Sequence, residues 1–94
     1  MNWQNIQTKY PKAFTLYTEK YGLKYFLCRE LYLFFDEQGI YGRVGKNQFM
    51  MFTWDLITDP EINICEFSDY DYNIRTEAEE ALFLREFEIL EEKL

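Results

Sequence analysis

Residues 40–57 read IYGRVGKNQFMMFTWDLI, and the period of this stretch decides the fold. Ile40, Gly42 and Val44 recur at every second position, the spacing that puts side chains on one face of a strand. Gly45, Lys46 and Asn47 are turn residues. The run that follows predicts a strand over Gln48–Ile57, with Met50, Phe52, Trp54 and Leu56 on one side and Phe49, Met51, Thr53 and Asp55 on the other. Asp59-Pro60-Glu61 is a second turn signal. Beyond it Ile62–Phe67 reads as a third strand, prolonged by the alternation of Tyr70, Tyr72 and Ile74 with Asp69, Asp71 and Asn73. Short turns join antiparallel neighbours, so the order is 1-2-3.

Outward from this meander the period becomes helical. Asn2 is placed to cap a short helix carrying Trp3, Ile6 and Tyr10, and Pro11 suits the first turn of a second one, which Gly22 closes. Ala13, Phe14, Tyr17 and Tyr21 form its apolar stripe. Lys24–Gln38 predicts a third helix, with Leu27, Leu31, Phe34 and Phe35 at i, i+4, i+7 and i+8 and Gly39 as its left-handed stop. Asp36 and Glu37 fall in its last turn against the macrodipole, which implies either a basic partner or a frayed end. Thr76 and Glu79 have the spacing of a capping box. Phe83, Phe87, Leu90 and Leu94 then make the stripe of a terminal amphipathic helix. The expected fold is α+β, a single domain over residues 1–94. It has N-terminal helices, a three-stranded antiparallel meander and a C-terminal helix packed on one sheet face. That helix and the Leu27–Phe35 helix are expected to cover the Trp54 face. The other face, with Phe49, Met51, Cys65 and Phe67, is either wrapped by Trp3–Tyr21 or left as an interface.

Composition narrows the function. Of 94 residues, 48% are hydrophobic and 20% aromatic, enough to build a core. The same aromatic excess suits either packing or a binding face. A net charge of −7 removes the main source of affinity for phosphate backbones and for anionic membranes. The first residues carry no apolar signal-peptide core, and no apolar run reaches membrane-spanning length. Two cysteines, Cys28 and Cys65, lie within apolar elements. Together these features lead one to expect a cytoplasmic protein with both thiols reduced and buried, and with no direct nucleic-acid or membrane partner.

Chemistry is sparse. The chain has no histidine, which removes the usual general base near neutral pH and the commonest metal ligand. Neither cysteine belongs to a CxxC pair, and Gly39, Gly42 and Gly45 lack the Lys-Ser/Thr ending of a phosphate loop. Asp55, Asp59, Glu61, Glu66, Asp69 and Asp71 cluster in sequence. They read as solvated turn and edge positions, with a weak magnesium or calcium site and a carboxylate-pair hydrolase as the alternatives. No catalytic residue, metal ligand or cofactor is assigned.

The order helix, three antiparallel strands, helix resembles the core of a double-stranded RNA-binding domain. That family meets phosphates with lysines at the start of its last helix, where this chain has Glu77, Glu79 and Glu80. The resemblance therefore implies topology without the binding chemistry. The stretches YLFFDEQGIY (Tyr32–Tyr41) and IRTEAEEALFLREFEILEEKL (Ile74–Leu94) also resemble a group of small phage- and prophage-type proteins from Bacteroides-like gut bacteria. The group has no assigned activity. The likeness covers about a third of the chain and implies an accessory protein of a mobile element.

The reading that follows is a non-enzymatic protein that binds another macromolecule, an unidentified protein or a second copy as homodimer. Phe49, Met51, Phe67, Tyr70 and Tyr72 are the candidate contact residues. An acidic decoy occupying the site of a nucleic-acid-binding protein is the alternative, and a minor metal-dependent hydrolase the second.

Overall fold

The computed structural model describes residues 1–22 and 28–94. The chain runs α1 (Trp3–Lys9), α2 (Pro11–Tyr21), α3 (Cys28–Glu37), β1 (Ile40–Lys46), β2 (Phe52–Thr58), β3 (Cys65–Phe67) and α4 (Arg75–Lys93). The strands form one antiparallel sheet in the order β1-β2-β3. This is the expected α+β meander.

Local chemistry sets most of the element ends. The Asn2 Oδ1 accepts from the Asn5 N–H at 3.2 Å and starts α1, and Pro11 occupies the first turn of α2. Gly39 ends the α3 segment at φ +78°, a conformation that costs glycine nothing. The expected start of α3 at Lys24 and the place of Leu27 lie outside the described residues. Glu37 finds the basic partner that an acidic last turn needs: it pairs with Lys20 and accepts from the Tyr21 hydroxyl at 2.6 Å.

Three expectations are corrected. The capping box at Thr76 is absent: Ile74 is the N-cap, with extended backbone and no side-chain cap bond. Thr76 already lies inside the first turn, where its backbone is helical and its hydroxyl no longer faces free N–H groups. The first turn of the meander is 47–51 rather than 45–47, so β2 starts at Phe52 and not at Gln48. The Asn47 side chain is the cause. Its Oδ1 accepts from the N–H groups of Phe49 (2.9 Å) and Met51 (3.1 Å), while the Asn47 backbone N–H donates to the Met51 carbonyl at 2.8 Å. An Asn that captures two backbone donors competes with the sheet ladder and wins locally. At the other end of β2, Thr58 captures Ile64 in the same way. Its Oγ1 accepts from the Ile64 N–H at 2.8 Å, and Ile62–Ile64 falls outside the strand, which begins at Cys65. The expected prolongation of β3 survives as one bridge, in which Tyr72 and Phe52 exchange backbone bonds at 2.7 and 2.8 Å.

Among the described residues, the main helical packing against the sheet falls on one side. The α4 helix crosses β1 and β2, and α3 lies against β1, so Leu56 is buried and Trp54 half-buried. The α2 helix packs on α4 and α1 packs on α2, with Trp3 reaching Phe87, and among the described residues neither wraps the far face. Phe87 is the hub of this layer, with ring centroids at 4.9 Å from Phe35, 6.2 Å from Trp3 and 6.4 Å from Tyr10 and Tyr17. The buried stripe of α4 includes Phe83, Phe87 and Leu90 as expected, but also Ala78, Leu82, Glu86 and Ile89, whereas Leu94 is exposed. Both cysteines are exposed, correcting the expectation of buried thiols.

Candidate functional surface

The uncovered side of the sheet is set by strand register. Tyr41, Ile57 and Cys65 lie opposite one another across the three strands, and Arg43, Asp55 and Phe67 form the next row. Directly opposed residues share a face, and these point away from the helices. Tyr41 is 42% exposed, Ile57 57% and Phe67 71%. Two shallow depressions of about 450 and 430 Å³ meet here, and Arg43, Asp55 and Phe67 belong to both.

An ion pair lies between the apolar residues. The Arg43 Nε donates to both Asp55 oxygens at 2.9 and 3.2 Å, which holds the guanidinium above its usual range. The Tyr41 phenol is likewise pushed up, by donating to Asp59. The surface therefore offers two exposed apolar side chains and a tyrosine around one fixed charge pair. Such a row supplies contact area and orientation, and the free, exposed Cys65 thiol lies at its β3 edge.

The candidate residues divide between four places. Phe67 lies in this face. Phe49 and Met51 do not, because the Asn47 loop carries them off the strand. Phe49, 71% exposed, belongs to the loop tip. Tyr70 is exposed in the turn after β3. Tyr72 pairs with Phe52 and so shares the helix-facing side of the sheet. Sequence reasoning missed Tyr41, Arg43 and Ile57. The alternation that placed Ile40, Gly42 and Val44 inward was the available signal, since their odd-numbered neighbours must then face out.

The acidic residues do not converge. Glu66 faces the helices, where Arg85 donates to it at 2.7 and 2.6 Å and holds its carboxyl below the usual range. Asp59 supports the turn at Gly39. Among the described residues no group of three or more acidic or cysteine side chains is placed to hold a metal ion, and no helix is long and apolar enough to cross a membrane. No protein-family model, curated protein or solved structure matches the chain.

Proposed function

We propose that the protein is a small acidic, non-enzymatic binding protein that engages another protein through the uncovered sheet face, in the setting of a phage or prophage accessory protein. One observation carries this reading: Tyr41, Ile57 and Phe67 remain exposed across three adjacent strands while, among the described residues, the helices pack on the opposite side of the sheet. Exposed apolar groups that are contiguous across a sheet, rather than scattered, are the usual mark of an interface. The decoy alternative needs its carboxylates free on one elongated surface. Here Asp55 is paired with Arg43, Glu66 with Arg85, Glu79 accepts from the Tyr32 hydroxyl, and Glu91 accepts from the Ala13 N–H.

A photo-reactive amino acid at position 57, activated in cells that express the protein, tests the proposal. A defined protein adduct is expected, lost when Phe67→Ser and Tyr41→Ser are added. Adducts no different from those formed by a probe at Glu19, on the helical side, would refute it.

A further inference from the structure

The 47–51 loop is apolar at its tip and held rigidly. Phe49 is 71% exposed and Met50 67%, and Met50 has a left-handed backbone at φ 64°. A non-glycine residue in that region costs on the order of 1 kcal/mol and persists only where its surroundings impose it. Here the Asn47 bonds do so. The base of the loop is positive. The Lys46 Nζ and the Arg75 guanidinium each lie 5.3 Å from the Phe52 ring centroid, and neither is ion-paired among the described residues. In a chain of charge −7 this is a local cationic collar around an apolar knob.

The far end of the molecule has the opposite character. Ile62 and Ile64 of the β2–β3 turn lean on Ile89 of α4 and leave a depression of about 420 Å³, rimmed by the exposed carboxylates of Glu61 and Glu92. Lys93 also borders it, but its Nζ is directed to the Gln38 carbonyl at 3.3 Å. This turn is anchored too: Ile62 and Asn63 both donate to the Asp59 carbonyl at 3.0 Å, and Asn63, like Met50, has a positive φ.

We infer that copies of this chain associate head to tail, the Phe49–Met50 tip of one seating in the Ile62–Ile64–Ile89 depression of the next, with Lys46 and Arg75 meeting Glu61 and Glu92. Apolar character and charge sign match across this contact, the two rim carboxylates outweighing the single Lys93 cation. The two ends cannot meet within one chain, because the seven residues of β2 hold them roughly 20 Å apart. The contact is heterologous, so it propagates into short chains rather than closing as a twofold dimer. It is also small. Two side chains bury far less than the roughly 1,200–2,000 Å² of a stable interface, so association appears only at high concentration. Of its residues only Lys46 also borders a depression of the uncovered sheet face, and the contact does not rest on the function proposed for that face.

Sedimentation velocity from about 20 μM to about 1 mM tests the inference, with added salt weakening any charge-assisted contact. The wild-type sedimentation coefficient is expected to rise with concentration. Two double variants separate the ends: Phe49→Ser with Met50→Asn, the asparagine tolerating the left-handed backbone, and Glu61→Lys with Glu92→Lys. All four positions are exposed, and unchanged circular dichroism confirms the fold. Each variant alone is expected to associate at least tenfold more weakly than wild type, while an equimolar mixture forms a pair that grows no further. A wild type that remains monomeric throughout overturns the inference, as does a mixture that fails to pair. Association kept by the tip variant but abolished by Ile57→Ser with Phe67→Ser also overturns it, and leaves the sheet-face proposal standing.

Discussion

The sharpest consequence of this structure concerns Glu86. Its side chain is fully buried, and both carboxyl oxygens lack a hydrogen-bond partner. It lies on α4 against Gly42 of β1, and the groups of α3 that act on it are Asp36, a like charge, and Tyr32. Burial, with a smaller contribution from Asp36, lifts its pKa from the ordinary 4.5 to about 9. The folded chain therefore holds a proton on Glu86 over the whole interval between those values, while the unfolded chain releases it. Stability falls as pH rises through that interval, by about 1.4 kcal/mol per pH unit, and levels off only near the folded value. From pH 5 to pH 7 the loss is roughly 3 kcal/mol, a large fraction of the ~5–15 kcal/mol that small domains possess. Asp36, also raised by burial, adds in the same direction just above its ordinary 3.8. Glu66, lowered by Arg85, acts oppositely: its contribution is present above its ordinary value and disappears on acidification below it. Maximum stability is thus expected near pH 5. Urea unfolding followed by tryptophan fluorescence at each pH unit from 4 to 9 measures the profile. Glu86→Gln keeps the shape and cannot ionise, so it is expected to flatten the profile and exceed wild type at pH 7. Parallel wild-type and Glu86→Gln profiles, or a wild type more stable at pH 7 than at pH 5, would refute the reasoning.

Other substitutions probe the packing around it. Phe87→Ala removes the ring on which Trp3, Tyr10, Tyr17 and Phe35 converge and is expected to cost about 3–5 kcal/mol in urea unfolding, whereas Leu94→Ala, at an exposed position, stays within about 0.5 kcal/mol. Gly42→Ala would put a Cβ 2.8 Å from Leu82 Cδ1 and 3.1 Å from Glu86 Oε2, and is expected to destabilise by about 1–3 kcal/mol in the same assay. Asn47→Ala frees the N–H groups of Phe49 and Met51, with an expected loss of about 1 kcal/mol and faster amide exchange confined to residues 47–51. Thr76→Ala is expected to change stability by less than about 0.5 kcal/mol, where a true capping threonine costs about 1 kcal/mol.

Much of the architecture could be read directly. Alternation over residues 40–44 and 52–57, Asn2, Pro11 and Gly39 are local signals, and local chemistry is what fixes strand faces and helix ends. The errors share a cause as well. At Asn47 and Thr58 one side chain captured backbone donors that the strand pattern had assigned to the ladder. No hydrophobic period records that competition, because Phe49, Met50 and Met51 are as apolar as a strand would require. The candidate surface suffered accordingly. Phe67 was placed on it, but the Phe49–Met51 segment left the sheet and became a projecting tip.

Glu86 was hidden for a different reason. A stripe drawn from apolar residues alone passes through Phe83, Phe87 and Leu90 and skips the acidic position between them. Yet Leu82 and Glu86 are one turn apart, and both press on Gly42, a helix-facing strand position that lacks a side chain. In the sequence Gly42 was one member of the Ile40–Val44 alternation, with no sign of what would occupy its missing side chain. In the fold it is the space that admits α4 close to β1, and the Glu86 carboxyl takes part of the volume a β-carbon would fill. Glycine and glutamate therefore form one packing solution: enlarging the first should force the second outward toward water, where its pKa returns toward the ordinary range. A Gly42→Ala chain that still folds should thus lose part of the pH dependence as well as stability. A clash limited to Leu82 would lower stability equally at every pH.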